Sequence, residues 1–127
     1  EKVCRLIRWH DIRLKPDERL IRRTMNLVGP DLFDEYLLLQ RADLEGKALW
    51  IREAESPIHL QVKACADQIR ERGDCVTIAM LDVSGGDLIR GGMKPGKEIG
   101  QKLAAMLDHV LDYPEDNHKE ILMKRFA

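Results

Sequence analysis

The chain has 127 residues, with 21 Lys or Arg against 22 Asp or Glu, and a formal net charge of −1. This length allows one domain or two small lobes with a core, and the balanced charge gives no overall electrostatic preference for nucleic acid or membrane. No apolar run is long enough to span a membrane and no secretory signal is recognisable, so we expect no membrane partner. Cys4, Cys65 and Cys75 contain no C-x-x-C pair, which favours a reduced, cytoplasmic protein over a disulfide scaffold.

Charge is distributed unevenly along the chain. Residues 1–30 carry eight basic and four acidic side chains, whereas residues 31–46 carry one basic and five acidic side chains. Residues 88–107 are basic again, with four basic side chains and one acidic side chain. Such alternation indicates a protein that contacts a polyanion at selected places rather than over its whole surface.

Apolar periodicity predicts two helices in the first 30 residues. Residues 2–10 have the pattern of a helix end, and because Glu1 already reads as mid-helix we expect the chain to be part of a longer protein. Pro16 interrupts this helix and Asp17-Glu18 begins the next one, where acidic side chains suit the helix dipole. Gly29-Pro30 ends the second helix.

Two further helical segments follow before residue 73. Residues 31–45 are apolar on almost every side, which predicts a central, buried helix in which the carboxylate of Asp43 needs a partner. The helical pattern continues to Ser56-Pro57, which indicates either a kink or a break. The helix after this point ends at Gly73, preceded by arginines in its last turn.

The second half of the chain also reads as helical. Residues 76–81 are short and apolar, and we predict a helix there rather than a lone strand. A short helix at about 86–90, a glycine turn and a long helix at about 97–112 follow. Asn117 and Glu120 resemble the start of a capped final helix. The expected fold is therefore all-α, with one lobe at residues 1–73, a second at 74–127, and a glycine-rich helix–turn–helix corner in the second lobe.

The glycine-rich corner is the segment most suggestive of a binding site. Residues 85–100 hold six of the nine glycines, and an amphipathic helix follows directly. A helix that begins after a glycine turn exposes unpaired N–H groups and the positive end of its dipole. Arg90, Lys94, Lys97 and Lys102 surround this point, as in sites that bind phosphate. A solvated corner whose glycines allow close helix packing explains the same local pattern, and both interpretations stay open.

The sequence contains no recognisable catalytic constellation. Its four histidines have no metal-ligand spacing, and it has no Walker loop, no nucleophile elbow and no Asp-x-Asp pair for two metal ions. We therefore assign no catalytic residue and no metal site. His10 and Asp43 are the residues that a metal-binding set would include, but the absence of adjacent ligands favours structural roles for both.

Several segments resemble one enzyme family. Trp9-His10-Asp11, Ile21-Arg22-Arg23, Gly29 and Leu39-Gln40-Arg41-Ala42-Asp43 are similar to the HD-related helical body of bacterial CCA-adding tRNA nucleotidyltransferases and poly(A) polymerases. The C-terminal region of the same family resembles Leu81–Ile89, Gly92, Lys94-Pro95-Gly96, Ile99-Gly100 and Leu103, with Asn117 and Leu122 in its closing helix. The likeness extends over residues 3–125, and the glycine segment is its most specific part.

This resemblance implies a role in tRNA processing. The parent enzyme would add or repair the 3′-terminal CCA of tRNA with an N-terminal nucleotidyltransferase head that uses Mg²⁺ and CTP or ATP. That head is not in this chain, so the resemblance implies no cofactor here and leaves the choice of added nucleotide undetermined. The remaining body and tail would hold tRNA by phosphate contacts that position it without reading bases.

The resemblance also selects candidate residues and alternatives. The phosphate-binding candidates are Arg90, Gly92, Lys94, Gly96, Lys97 and Lys102, followed by a basic face formed by Arg19, Arg22 and Arg23. His10 and Asp43 fall where HD-type relatives keep part of their metal set. The alternative functions are a helical protein–protein interaction module and the remnant of an HD-type metal-dependent phosphohydrolase. Oligomeric state is not predicted.

Overall fold

The computed structural model describes residues 2–126, except for the side chain of Lys2. In this range it contains α-helices and two 3-10 turns without any strand, which confirms the all-α prediction. The prediction about Glu1 lies outside the described residues. The helices are α1 Lys2–Arg8, α2 Glu18–Val28, α3 Phe33–Glu45, α4 Leu49–Arg72, α5 Gly85–Arg90, α6 Lys97–Asp112 and α7 Lys119–Phe126; the 3-10 turns are Ile78–Met80 and Pro114–Asp116. The chain divides into a first unit that ends at Gly73 and a second unit that begins at Asp74.

Local sequence signals set both ends of α2. The Asp17 side chain accepts a hydrogen bond from the amide of Arg19 at 3.0 Å, which caps the first turn. At the other end, Gly29 has a φ of 102° and its amide donates to the Met25 carbonyl. A positive φ is accessible to glycine without strain, so the Gly-Pro stop is confirmed.

Helix α3 is not buried on all sides, and that prediction was wrong. Phe33, Tyr36 and Leu37 are buried at helical spacing, whereas Leu38 is 65 % exposed. The Asp43 side chain is also exposed and pairs with Lys47 at 3.6 Å instead of requiring a buried partner. Only one face of α3 packs in the first unit, because α2 and α4 contact it there. The apolar residues on its outer face are therefore left at the surface.

Helix α4 passes through Pro57 without a break. Its 24 residues include Pro57 in the ninth position, although proline has no N–H to continue the hydrogen-bond ladder. Buried Val62, Ala66 and Ile69 lie after the proline, in the part of α4 where its core face is completed. Packing of α4 against α2 and α3 is a tertiary contribution that offsets the lost hydrogen bond. The predicted end at Gly73 is confirmed, with φ 74° and ψ 30°.

The predicted helix at residues 76–81 is absent. Only the 3-10 turn Ile78–Met80 forms there, while Val76 and Leu81 are buried on either side of it. The side chain of Asn117 holds this segment, accepting from the amide of Asp82 at 2.9 Å and donating to the Met80 carbonyl at 3.1 Å. The side chain of Asn117 thus pairs backbone groups that would be paired with each other if the segment were a helix.

Asn117 therefore does not form the predicted capping box of the final helix. Its side chain is directed to the 80–82 segment, and the first turn of α7 is instead capped by the carboxylate of Asp82, which accepts from the amide of Lys119 at 2.8 Å. Buried Leu122 places α7 in the core of the second unit with Leu88, Met106 and Val110. The final helix exists as predicted, but its cap comes from a residue distant in sequence.

Candidate functional site

The glycine-rich corner joins α5 to α6 and begins with a capping box. The Ser84 side chain accepts from the amide of Asp87 at 3.2 Å, and the Asp87 carboxylate accepts from the amide of Ser84 at 2.9 Å. These reciprocal bonds fix the start of a helix of only six residues. The capping box thereby fixes the direction in which α5 leads into the turn at residues 91–96.

Four glycines of the corner fall into two groups by the space around them. A Cβ atom on Gly85 would lie 3.3 Å from Cγ2 of Ile99, and one on Gly91 would lie 3.3 Å from Cε of Met123. These two glycines serve close packing. Gly92 and Gly96 have φ values of +105° and +148°, with nothing within 4 Å of an added Cβ. These two give the turn its path and leave open space beside the backbone.

The start of α6 presents hydrogen-bond donors to this space. The amide of Ile99 donates to the Gly96 carbonyl at 3.2 Å. The amides of Lys97 and Glu98 have no acceptor among residues 2–126, and Gly96 supplies no side-chain cap. Such amides carry the positive end of the helix dipole. The carboxylate of Glu98 lies in the same first turn and offsets part of that positive potential.

Two of the predicted basic residues have exposed, unpaired side chains next to these amides in the chain. Lys94 and Lys97 are exposed, and neither side chain forms an ion pair or hydrogen bond within the described part of the chain. An exposed ammonium without a carboxylate partner is available to an incoming anion. Lys94, Gly96 and Lys97 lie within four consecutive residues, so their proximity follows from the chain itself.

Arg90 and Lys102 differ from these lysines because each already has a partner. The Arg90 guanidinium donates to the Asp87 carboxylate, which also accepts from Lys119 Nζ at 2.9 Å. Lys102 donates to the backbone carbonyl of Phe126. The backbone amide of Ser84, and next the Lys119 ammonium, hold the pKa of Asp87 well below its usual range. Asp87 is therefore a lasting counter-charge for Arg90, and Lys102 connects α6 to α7.

The first unit does not present Arg19, Arg22 and Arg23 as one solvated basic face. Arg22 is only 3 % exposed and donates to Glu18 at 3.4 Å, which corrects the prediction that it points to solvent. Arg19 is exposed and Arg23 is half-buried, and both have interactions within the protein. Arg22 is buried because α4 packs along α2 and covers this side of the helix.

His10 and Asp43 lie on the wall of one groove in the first unit, with a volume of about 1110 Å³. His10 Nε2 lies 2.9 Å from Asp11 Oδ1, and Asp43 pairs with Lys47. Within residues 2–126, no three His, Cys, Asp or Glu side chains come together in an arrangement that could hold a metal ion.

Sequence reasoning missed the network centred on Asp87. The spacing Ser84-x-x-Asp87 is a recognisable capping signal and would have identified Asp87 as an N3 acceptor. Lys119 carries no comparable signal, because it reaches Asp87 from 32 residues further along the chain. Trp50 was also overlooked, although it is 73 % exposed at the groove of the first unit.

No helix among the described residues is both long enough and apolar enough to cross a membrane. No protein-family model, no curated protein and no solved structure matches this chain.

Proposed function

We propose that this chain is the RNA-binding C-terminal part of a CCA-adding tRNA nucleotidyltransferase and that it positions tRNA through the phosphate backbone. The observation that carries this proposal is the start of α6, where the acceptor-free amides of Lys97 and Glu98 lie beside the unpaired side chains of Lys94 and Lys97. The likeness of residues 81–103 to the C-terminal region of that enzyme family supports the choice of RNA.

The chemistry of the corner suits a phosphodiester. Backbone amides at a helix start donate to phosphate oxygens, and the helix dipole favours the negative charge. Lys94 and Lys97 add two mobile ammonium groups that neutralise neighbouring phosphates. The open space beside Gly92 and Gly96 allows a sugar–phosphate strand to approach the backbone closely. None of these groups reads a base edge, so binding should be similar for tRNAs of different sequence.

In the parent enzyme, the chain would work together with a nucleotidyltransferase head in the cytoplasm. The head would hold Mg²⁺ and CTP or ATP, and the corner would keep the tRNA at a fixed position relative to it. Proximity of this kind contributes to catalysis without a reacting group on the chain itself. Arg90 and Lys102 are not assigned to the phosphate contacts, because Arg90 pairs with Asp87 and one donor of Lys102 is held by the Phe126 carbonyl.

The test replaces both open lysines in the 127-residue chain. Lys94→Ala combined with Lys97→Ala should weaken tRNA binding and reduce the slope of log affinity against log salt by about 1 to 2. The matched control is Lys63→Ala with Lys124→Ala, which removes the same charge from two other exposed positions. Salt-independent binding by the wild-type protein, or equal losses in both double variants, would contradict a localised phosphate site.

A helical protein–protein module is the second candidate, favoured by the apolar outer face of α3. Leu38 is 65 % exposed and Leu39 is 40 % exposed, next to each other on that helix. Leu38→Glu with Leu39→Glu would abolish an association made through this face and would leave tRNA titrations unchanged. Sedimentation of the wild-type and variant proteins separates this function from the first.

A further inference from the structure

The second unit contains a small apolar cavity next to the glycine-rich corner. Its volume is about 230 Å³. Buried Leu88 and Met106 form the floor, and the more exposed residues around them form the rim. The apolar lining residues are Leu88, Gly91, Met93, Met106, Met123 and Phe126. A cavity of about 150 Å³ already accepts a benzene ring, so this one is large enough for a planar heterocycle.

The lining suits an aromatic ring in particular. Three methionine thioethers and the ring of Phe126 surround the space. Thioether sulfur makes favourable contacts with aromatic rings, and methionine side chains adapt to irregular shapes. Gly91 removes a side chain from the rim at the point where a Cβ would meet Met123. The space for a flat ring therefore lies between Gly91 of the corner and Met123 of α7.

The polar groups at this cavity indicate what kind of ring it takes. Lys102 lines the cavity and its ammonium donates to the Phe126 carbonyl, which leaves further N–H donors on the same nitrogen. Lys94 and Lys97 do not line the cavity, but Lys94 is bonded to the lining residue Met93, and Lys97 begins the helix that carries Lys102 and Met106. An apolar slot edged by a donor, on a segment that also carries two unpaired cations, is complementary to a base that carries its own phosphate.

We propose that this cavity receives one unpaired nucleobase of an RNA, whose 5′ or 3′ phosphate is held by Lys94, Lys97 and the start of α6. The inference rests on the proposed phosphate contacts and adds a binding preference to them. RNA with an extruded or loop nucleotide is preferred over a fully paired helix, because only the former can place a ring in the cavity. Lys102 then donates a hydrogen bond to an oxygen of the base rather than to an RNA phosphate.

The test compares two RNAs with the full 127-residue protein. One is a fully paired duplex, and the other is the same duplex with a single bulged nucleotide. Since stacking of a base on protein side chains strengthens binding by roughly 5- to 100-fold, we expect at least about a 5-fold preference for the bulged RNA. Methyl NMR signals of Met93, Met106 and Met123 should shift with the bulged RNA and stay unchanged with the paired RNA. Met25, which lies in the first unit, is the internal reference.

A filled cavity provides the matched variant. Gly91→Leu places a side chain at the rim against Met123, whereas Ala105→Leu adds an apolar side chain on an exposed position of α6. Gly91→Leu should abolish the preference for bulged RNA without weakening binding of the paired duplex, and Ala105→Leu should preserve the preference. Circular dichroism of both variants establishes that they are folded.

Three results would overturn the inference. In the first, both RNAs bind equally and the methionine signals do not shift, while Lys94→Ala with Lys97→Ala weakens the binding of both RNAs. The cavity is then not a base site, but the proposed phosphate contacts are retained. If neither RNA binds, the proposed function fails and the base site fails with it. If methionine shifts appear only with an apolar peptide added as competitor, the cavity accepts a protein side chain instead.

Discussion

Lys119 Nζ donates to the carboxylate of Asp87 across 2.9 Å, and this ion pair joins α7 to α5 within the second unit. The same carboxylate caps the amide of Ser84 and pairs with Arg90. Asp87 thus connects the helix before the glycine turn to the last helix of the chain.

Asp87→Asn should destabilise the second unit, because the amide cannot replace a charged acceptor of several bonds. The pKa of Asp87 is lowered in the folded state, so its contribution is present at neutral pH and is lost as the pH falls through the lowered folded pKa. We therefore expect the difference in melting temperature between wild type and variant to shrink below about pH 4. Thermal unfolding monitored by circular dichroism between pH 7 and pH 3 measures it. A constant difference would mean that Asp87 acts only through its shape.

Lys102→Met should affect stability more than binding to paired RNA. The substitution keeps the aliphatic stem and removes the donor to the Phe126 carbonyl, at a cost of about 1 kcal/mol. Because the bond to the Phe126 carbonyl holds the Lys102 ammonium next to α7, the salt slope for paired RNA should change by less than for the Lys94 and Lys97 pair. Urea unfolding and RNA titration of the same protein samples measure both effects. A slope change as large as that of Lys94→Ala with Lys97→Ala would place Lys102 among the phosphate contacts after all.

Two glycines four residues apart should respond oppositely to alanine. Gly96 has φ +148° and ψ −164°, a region that is essentially restricted to glycine, so Gly96→Ala should cost about 1–3 kcal/mol. Gly100 lies inside α6 with nothing within 4 Å of an added Cβ. Gly100→Ala should therefore stabilise by about 0.5–1 kcal/mol through helix propensity. Chemical denaturation of the two single variants is the measurement, and destabilisation of similar size in both would contradict the assigned conformations.

In the first unit, the hydroxyl of Tyr36 donates to the Trp9 carbonyl at 2.6 Å and accepts from Gln40 at 2.9 Å. Burial, and next the negative charge of Asp11, raise the pKa of Tyr36 to about 12. Tyr36→Phe leaves the carbonyl without this donor and should cost about 1–3 kcal/mol at neutral pH.

The same residue predicts a pH dependence at alkaline pH. Because the folded pKa of Tyr36 is raised above its unfolded value of 10.0, its stabilising effect is complete below pH 10 and disappears as the pH approaches 12. The stability difference between wild type and Tyr36→Phe should therefore narrow over this range, as measured by urea unfolding. Tyrosinate absorbance in a Tyr113→Phe background reports the titration of Tyr36 alone, and a midpoint near 10 would contradict its burial.

The sequence was sufficient where an element is defined by its own residues. Asp17 caps α2 and Gly29 ends it, and the glycine turn before Lys97 with the apolar stripe after it gave the bounds of α6. Caps, positive φ angles and helical periodicity act over a few residues, so they can be read without the partners of the helix. The unpaired state of the first amides of α6 follows from the same local rules.

Tertiary packing decided which faces are covered and which charges are free. The apolar residues of α3 could not reveal that Leu38 is exposed, since that depends on where α2 and α4 lie. Likewise, in the sequence alone Arg90 and Lys102 are equivalent to Lys94 and Lys97, as basic residues near the start of α6. Asp87 lies only three residues before Arg90 on α5, so that pair is local, whereas the Phe126 carbonyl reaches Lys102 from 24 residues further along the chain. Lys94 and Lys97 stay without such partners among the described residues, because pairing of this kind depends on residues that are close in space but separated along the chain.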